Sequence, residues 1–178
     1  MTNPQESMNH YKDNDFRTIE QTMEKLPSGT RSLAAQLTTS ASFDSLWNVL
    51  TDYDRLNLYI PNLLSSKKIF QNGNNFHLKQ VGAQDFLGMK FSAEETIDLF
   101  EDKERGLLKF NLIKGDFRKF EGSWKIQNIK NTSKNSLIYD LTVQGCQWMP
   151  IGMIEKRLKR DLSENLIAVD KQAKTSKN

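Results

Sequence analysis

The sequence predicts an α+β domain in which a curved antiparallel sheet wraps around one long C-terminal helix. Two short helical segments precede a stretch of alternating apolar and polar residues between Leu63 and Trp148, and a long helical stripe begins at Ile151. Short turns separate the alternating runs, so consecutive strands are expected to be antiparallel neighbours. A chain of 178 residues is most simply one domain.

The N-terminal segment combines a polar tail with two predicted strands. Residues 1–15 carry almost no apolar side chains, so we expect a disordered tail. Residues 16–26 are weakly patterned and favour a strand that turns at Pro27, Ser28 and Gly29. A half-buried strand should follow, because apolar residues then alternate with polar ones at Leu33, Ala35 and Leu37.

Two short helices are predicted next. Ser42 is suited to cap the first, whose apolar stripe comprises Phe43, Leu46, Trp47 and Leu50. Asp52 is the candidate cap of the second, which presents Tyr53, Leu56 and Tyr59 on one side. This second helix must stop before Pro61, because proline disfavours the α conformation of the preceding residue.

About six strands are predicted between Leu63 and Trp148, with a hairpin turn at Asn72, Gly73 and Asn74. Each strand has one face that is mostly apolar, and these faces should form the inner side of the sheet. They comprise Phe76, Leu78, Gln80 and Gly82; Met89, Phe91, Ala93, Glu95, Ile97 and Leu99; Leu108, Phe110 and Leu112; Phe120, Trp124 and Ile126; and Leu137, Tyr139, Leu141 and Val143.

Pro150 opens the last helix, which is expected to run from Ile151 to about Lys171 and to span about 30 Å at 1.5 Å per residue. Its stripe comprises Ile151, Ile154, Leu158, Leu162, Leu166 and Val169. Residues 171–178 are expected to be a disordered basic tail, which leaves 16–170 as the domain. One helix covers a concave sheet only partly, so a cavity should remain between them, closed at one end by the two short helices.

Composition narrows the function classes. A formal charge of +3 is too small to indicate nucleic-acid binding, and no apolar run approaches the ~20 residues of a membrane span. The N-terminus is polar, unlike a signal peptide, and Cys146 is the only cysteine, so a cytoplasmic location is expected. The oligomeric state cannot be read from the sequence.

Four segments carry a resemblance to a known family: SFDSLWNVLTDYDRLNLYIPNLLSS at 42–66, LKQVGAQDFLGMKFSA at 78–93, KGDFRKFEGSWKI at 114–126, and MPIGMIEKRLKRDLSENLIAV at 149–169. Over about residues 31–170 the chain resembles the START-like (SRPBCC, helix-grip) superfamily. Within it, the chain is similar to the polyketide cyclase/dehydrase and coenzyme-Q-binding-protein-like branch. The resemblance implies the helix-grip fold and a cavity for a lipophilic ligand, but no single reaction, because members range from lipid carriers to cyclases.

Three functions are therefore considered. The leading one is binding or carriage of a hydrophobic small molecule, such as a lipid, quinone, isoprenoid or pigment-like compound, without catalysis. The second is a cyclase or dehydratase acting on a polyketide-like precursor. The third is an interaction protein whose cavity is closed.

The polar residues predicted on the inner face are Gln80, Glu95, Arg118 and Tyr139. A buried carboxylate is costly unless it is paired or neutralised. Glu95 and Arg118 would therefore either pair at the open end of the cavity or orient a polar ligand head, with Gln80 and Tyr139 as hydrogen-bond partners. A third interpretation makes Glu95 a general acid or base.

The apolar candidates for ligand contact are Met89, Phe91, Ala93, Phe110, Trp124 and Met153. His10, His77 and Cys146 have no plausible partners in sequence, so no catalytic residue, metal site or cofactor is predicted. A basic cluster comprises Lys156, Arg157, Lys159 and Arg160. It is expected to be a solvated helix face, with transient contact to an anionic membrane surface as the alternative.

Overall fold

The computed structural model describes residues 11–12, 18–86, 89–146 and 151–175, with the side chains of 19–83, 92–146 and 155–175. The strands are β1 (Tyr11–Lys12), β2 (Thr18–Lys25), β3 (Arg31–Thr39), β4 (Leu63–Asn72), β5 (Asn75–Phe86), β6 (Met89–Asp102), β7 (Leu107–Gly115), β8 (Lys119–Asn128) and β9 (Asn135–Gln144). The helices are α1 (Phe43–Leu50), α2 (Ile151–Thr175) and two 3-10 helices, Pro27–Gly29 and Tyr53–Leu58.

The strands of the described chain form one antiparallel sheet in the order β1-β2-β3-β9-β8-β7-β6-β5-β4. The crossover from β3 to β4 carries α1 and the second 3-10 helix, and α2 follows the last strand. The sheet curves around α2, so the predicted α+β helix-grip architecture is confirmed. The strand between Asn75 and Phe86 pairs with the strand before it through the predicted hairpin, in which Gly73 has a positive φ of 56°.

Helix α1 begins and buries its stripe as predicted. The Ser42 hydroxyl accepts a hydrogen bond from the Ser45 backbone N–H at 3.2 Å, which satisfies one of the free donors of the first turn. Leu46, Trp47 and Leu50 are buried against the rest of the core. This helix therefore closes one end of the sheet.

The second short helix is a 3-10 helix rather than an α-helix, and Asp52 does not cap it with its side chain. The Asp52 carboxylate instead lies 3.4 Å from the Arg55 guanidinium. Two tyrosines hold the segment: Tyr53 donates to the Glu101 carboxylate, and Tyr59 donates to the Val49 carbonyl at 2.6 Å. The helix ends at Leu58, before Pro61, as predicted.

Helix α2 docks on the sheet through its predicted stripe. Leu158, Leu162, Leu166 and Val169 are buried, whereas the side chains of Ile151 and Ile154 lie outside the described residues. The predicted end near Lys171 is wrong, because the helix continues to Thr175 with Ala173 fully buried.

The buried Asp170 fixes this last part of α2. Its carboxylate accepts a hydrogen bond from the Thr39 hydroxyl and lies 2.9 Å from the Lys174 ammonium. The Thr39 hydroxyl in turn accepts from the Ala41 backbone N–H at 2.9 Å. An ion pair and a buried contact thus continue the helix into the segment that the sequence predicted to be a disordered tail.

The prediction of a disordered tail at residues 1–15 also needs correction. Tyr11 and Lys12 lie within the predicted disordered tail, yet they pair with Ile19 and Thr18 of β2. Backbone pairing of this kind needs no apolar side chains, and so it left no signal in the hydropathy pattern. The predicted strand before Pro27 is confirmed as β2, although it begins at Thr18.

Within the described ranges, no helix combines the length and hydrophobicity that crossing a membrane requires.

Candidate ligand-binding cavity

A cavity of about 280 Å³ lies between the concave face of the sheet and α2. Strands β4 to β9 form one wall, α2 forms the other, and α1 with the following 3-10 helix closes one end. Most of its surface is apolar. The apolar lining includes Leu50, Leu56, Ile60, Leu63, Leu78, Ile97, Leu99, Leu108, Phe117, Phe120, Leu141, Leu158 and Leu162.

Six of the ten predicted site residues line this cavity: Gln80, Ala93, Glu95, Phe110, Trp124 and Tyr139. They come from five different strands, β5 to β9, and the sheet brings them together because each lies on the predicted inner face. The side chains of Met89, Phe91 and Met153 lie outside the described residues.

Arg118 is exposed and is not among the described lining residues, so its predicted inward position is wrong. Strand β8 begins at Lys119, and Arg118 belongs to the bend between β7 and β8, where the alternation of faces does not hold. Phe117 of the same bend lines the cavity instead and stacks on Phe120 with ring centroids 5.5 Å apart. The predicted pairing of Arg118 with Glu95 is therefore absent from the described residues.

Aromatic rings form one side of the cavity. Trp124 and Tyr139 are register partners on β8 and β9, and their rings stack with centroids 4.0 Å apart and planes 7° apart. Phe110 approaches Phe120 at 5.5 Å. Gly122 makes room for this packing, because a Cβ there would lie 2.8 Å from the Phe110 ring and 2.0 Å from the Asp140 carbonyl oxygen.

Glu95 is the buried carboxyl group of the sheet wall. Only 7% of the residue is exposed, and its Oε1 atom has no hydrogen-bond partner among the described residues. Burial raises the pKa of Glu95 to about 7, and the nearby carboxylates of Asp116 and Glu94 add to the effect. The group therefore titrates near neutral pH.

The backbone around Glu95 is closely packed. Glu95 pairs with Gly115 of β7, where an added Cβ would lie 3.1 Å from the Glu95 Cγ and 2.6 Å from the Glu94 carbonyl oxygen. A bulge at Ile113 shifts the register of β7 just before this pair, and the Asp116 carboxylate accepts the Glu94 backbone N–H at 2.8 Å. These contacts hold the backbone at Glu95 in place, and the residue lines the cavity.

Gln80 is the register partner of Glu95 on β5. Its amide nitrogen donates to the hydroxyl of the buried Ser66 at 3.1 Å. This bond orients the amide group across β4 and β5.

The helix wall adds two polar residues that the sequence analysis missed. Asp161 accepts from the Arg157 guanidinium at 2.9 Å and lies 3.4 Å from the Asn62 amide nitrogen. Asn165, one turn further, has a buried Oδ1 atom without a hydrogen-bond partner among the described residues. Asp161 lies at i+3 and Asn165 at i+7 from Leu158, on the apolar face of α2. This helical spacing could have identified them in the sequence as cavity residues.

Tyr139 supplies a neutral donor to the same space. Burial, reinforced by the Asp161 carboxylate, raises the pKa of the Tyr139 hydroxyl above its ordinary value. The hydroxyl therefore stays protonated under physiological conditions.

The described lining contains two carboxyl groups and no basic side chain. The predicted basic cluster lies elsewhere on α2, where Arg157 pairs with Asp161 and Arg160 lies 3.6 Å from the Glu164 carboxylate. The described residues also contain no group of histidine, cysteine, aspartate and glutamate side chains suited to hold a metal ion. The chemistry available here is hydrogen bonding, apolar contact and one titrating carboxyl group.

A curved sheet that holds an apolar cavity against a long C-terminal helix defines the START-like class of proteins. The sequence profile described as "Polyketide cyclase / dehydrase and lipid transport" matches residues 39–170. The chain belongs to this family, and the resemblance noted in the sequence is confirmed.

Solved structures share the fold at low sequence identity. A STAR-related lipid transfer protein from Xanthomonas axonopodis has a TM-score of 0.77 and 12% identity, covering 94% of this chain and 98% of that one. The Zhui aromatase/cyclase from a Streptomyces species has a TM-score of 0.64 and 16% identity, covering 82% and 94%. Norcoclaurine synthase from Thalictrum flavum has a TM-score of 0.61 and 16% identity, covering 84% and 89%. At these identities the likeness shows the fold alone.

No curated protein matches the chain in sequence.

Proposed function

We propose that this protein binds or carries a hydrophobic small molecule in the cavity between its sheet and α2, without catalysing a reaction. The single observation that carries the proposal is the apolar cavity of about 280 Å³ between the sheet and α2. Protein interiors are normally filled to near crystal density, so an unfilled apolar volume of this size favours a ligand over a purely structural core. It also argues against an interaction protein with a closed cavity.

The volume bears on the kind of ligand. Ligand cavities typically range from about 300 to 1,000 Å³, so this one lies near the lower limit. A ring system or one isoprenoid-like chain suits it better than a two-chain phospholipid. Lipids of modest size, quinones, isoprenoids and pigment-like compounds are the classes we propose, and the lipid transfer protein of the same fold agrees with such a role.

Transient contact with an anionic membrane surface and a cytoplasmic location belong to the same proposal, and neither nucleic acid nor a cofactor is required. Leu58 and Leu64 are 67% and 59% exposed and flank the lining segment 60–63, which supports a membrane contact near the cavity. The basic face of α2 supports it less than its sequence suggested, because two of its arginines are paired with carboxylates.

A cyclase or dehydratase acting on a polyketide-like precursor is the second candidate, and Glu95 is the observation that favours it. A carboxyl group with a pKa of about 7 in an aromatic-lined cavity is suited to general acid or base chemistry. Under this alternative, Glu95→Gln should lower turnover of ring-forming substrates by about a hundredfold or more. A binding protein should show no such turnover to lose.

The binding proposal can be tested with a substitution whose larger side chain fills the cavity while the domain remains folded. Ala93 lines the cavity on β6, so Ala93→Trp should abolish the fluorescence enhancement of the neutral probe N-phenyl-1-naphthylamine. Glu94→Trp is the matched control, because Glu94 is the next residue on the same strand and its side chain is 54% exposed. Circular dichroism checks that both variants fold. Probe binding that survives in folded Ala93→Trp, or that never occurs in the native sequence, contradicts the proposal.

A further inference from the structure

The polar residues that line the cavity differ in whether their buried atoms have a hydrogen-bond partner. Glu95 Oε1 on the sheet wall and Asn165 Oδ1 on the helix wall are both buried acceptors without a hydrogen-bond partner among the described residues. A buried acceptor left unpaired costs about 1–3 kcal/mol. Both residues line the same cavity, which favours a ligand that supplies the missing donor.

The charges of the cavity point in the same direction. Asp161 is already compensated by the Arg157 guanidinium, whereas Glu95 is 7% exposed and lies near the carboxylates of Asp116 and Glu94. None of the described lining residues is basic, so an anionic group entering this space would meet carboxylates and no cation. The donors that do line the cavity, such as the Tyr139 hydroxyl, are neutral.

On the basis of the proposed binding function, we infer that the ligand is an apolar molecule carrying a hydrogen-bond-donating group, a hydroxyl or an amine, which donates to Glu95 Oε1. Asn165 Oδ1 is the second acceptor, on the opposite wall. Among the classes considered above, this favours isoprenoid alcohols, sterol-like alcohols or reduced quinols. It disfavours fatty acids and phosphorylated lipids, whose polar groups carry negative charge.

The inference differs from the binding proposal because it concerns the polarity of the ligand. Apolar contact alone would bind any molecule of suitable size. An unpaired carboxylate discriminates between ligands by their polar groups, since it pairs with a hydrogen-bond donor and repels an anion within the same low-dielectric space. The expected discrimination therefore depends on Glu95 and disappears with its charge.

The test is a displacement assay at pH 8 with three ligands that share one apolar body: 2-(1-naphthyl)ethanol, 2-(1-naphthyl)ethylamine and 1-naphthylacetate. Each competes with N-phenyl-1-naphthylamine, whose own binding reports on the proposed function. We expect the alcohol and the amine to bind at least tenfold more tightly than the carboxylate. In Glu95→Gln, the preference of the amine over the carboxylate should fall at least fivefold.

Glu94→Gln is the matched control, because it removes the same charge from the neighbouring exposed side chain, which pairs with Lys79 at 3.0 Å. Its ligand ranking should equal that of the native sequence. Equal binding of the three ligands, or a preference for the amine over the carboxylate that is unchanged in Glu95→Gln, overturns the inference while probe binding leaves the proposed function intact. Failure of the probe itself to bind overturns both.

Discussion

Glu95 is the residue whose surroundings differ most from those of an ordinary glutamate. Its pKa of about 7 in the folded chain exceeds the usual 4.5, so the folded state holds the proton more tightly than the unfolded state does. Stability should therefore decrease as the pH rises from about 4.5 to about 7, and remain at the lower level above that range.

Glu95→Gln removes this titration. One pKa unit corresponds to about 1.4 kcal/mol, so the variant should gain up to about 3 kcal/mol over the native sequence between pH 4.5 and pH 8. Urea unfolding at the two pH values measures the gain. Glu94→Gln should change by clearly less between them, because burial, the largest cause of the raised Glu95 pKa, stays in place when the Glu94 charge is removed. An equal response of both variants would show that Glu95 is solvated.

Gly122 gives a second prediction at the residue scale. A Cβ there would lie 2.0 Å from the Asp140 carbonyl oxygen, so Gly122→Ala should lower the free energy of unfolding by about 2 kcal/mol or more. Gly82→Ala is the control, because the nearest atom to its new Cβ, the Asn62 carbonyl oxygen, would be 3.8 Å away. Its cost should stay below about 1 kcal/mol. Equal losses would mean that β8 and β9 are less closely packed than described.

The alternation of strand residues predicted the inward position of Gln80, Glu95 and Tyr139, because a strand presents successive side chains to opposite faces. The same rule failed at Arg118, which precedes β8 and lies in a bend. Asp161 and Asn165 were missed because only the apolar members of the α2 stripe were considered. A sequence-based prediction of the polar residues that face the cavity thus depends on knowing where each strand and helix begins and ends.

Helix α2 is the element that encloses the cavity from the open side of the sheet. Leu166 is fully buried, so Leu166→Ala should lower the free energy of unfolding by about 2–5 kcal/mol. Leu58→Ala, at a side chain that is 67% exposed, should cost less than about 0.5 kcal/mol in the same denaturation experiment. Similar costs at both sites would contradict the docking of α2 through this stripe.

The 3-10 helix Tyr53–Leu58 is the element best suited to open the cavity. It is short, its hydrogen-bond type is weaker than that of an α-helix, and it lines the cavity through Tyr53 and Leu56. Hydrogen exchange should therefore show lower protection for amides 55–60 than for amides 158–170. Equal protection would indicate a rigid plug, held by the tyrosine hydrogen bonds to Glu101 and Val49.

Helix positions were predictable from sequence, but helix types and ends were less so. Apolar periodicity located α1 and α2, and Ser42 marked the start of α1. The extension of α2 to Thr175 depends on contacts of Asp170 with Thr39, far away in the chain, which no local pattern reveals. The 3-10 segment near Tyr53 is likewise held by tyrosine hydrogen bonds to Glu101 and Val49, which no local pattern reveals.

At the scale of the whole molecule, the order of elements and the resemblance to known families were enough to predict the fold. The cavity followed from geometry, because one helix cannot fill a concave sheet. The identity of the ligand could not be predicted in the same way, since ligand choice depends on a few polar atoms and on the cavity volume rather than on the order of the elements. The family itself includes both lipid transport and cyclase members, so family membership leaves the function open.

The central claim is that the cavity holds a hydrophobic small molecule, and native mass spectrometry of the protein purified from its own source tests it most directly. The native sequence should show an additional mass, and organic extraction should release one neutral or basic compound with a hydroxyl or amine group. Ala93→Trp, expressed in the same source, should lack that mass while remaining folded. A folded native protein that carries no additional mass, or the same mass in both proteins, would contradict the account.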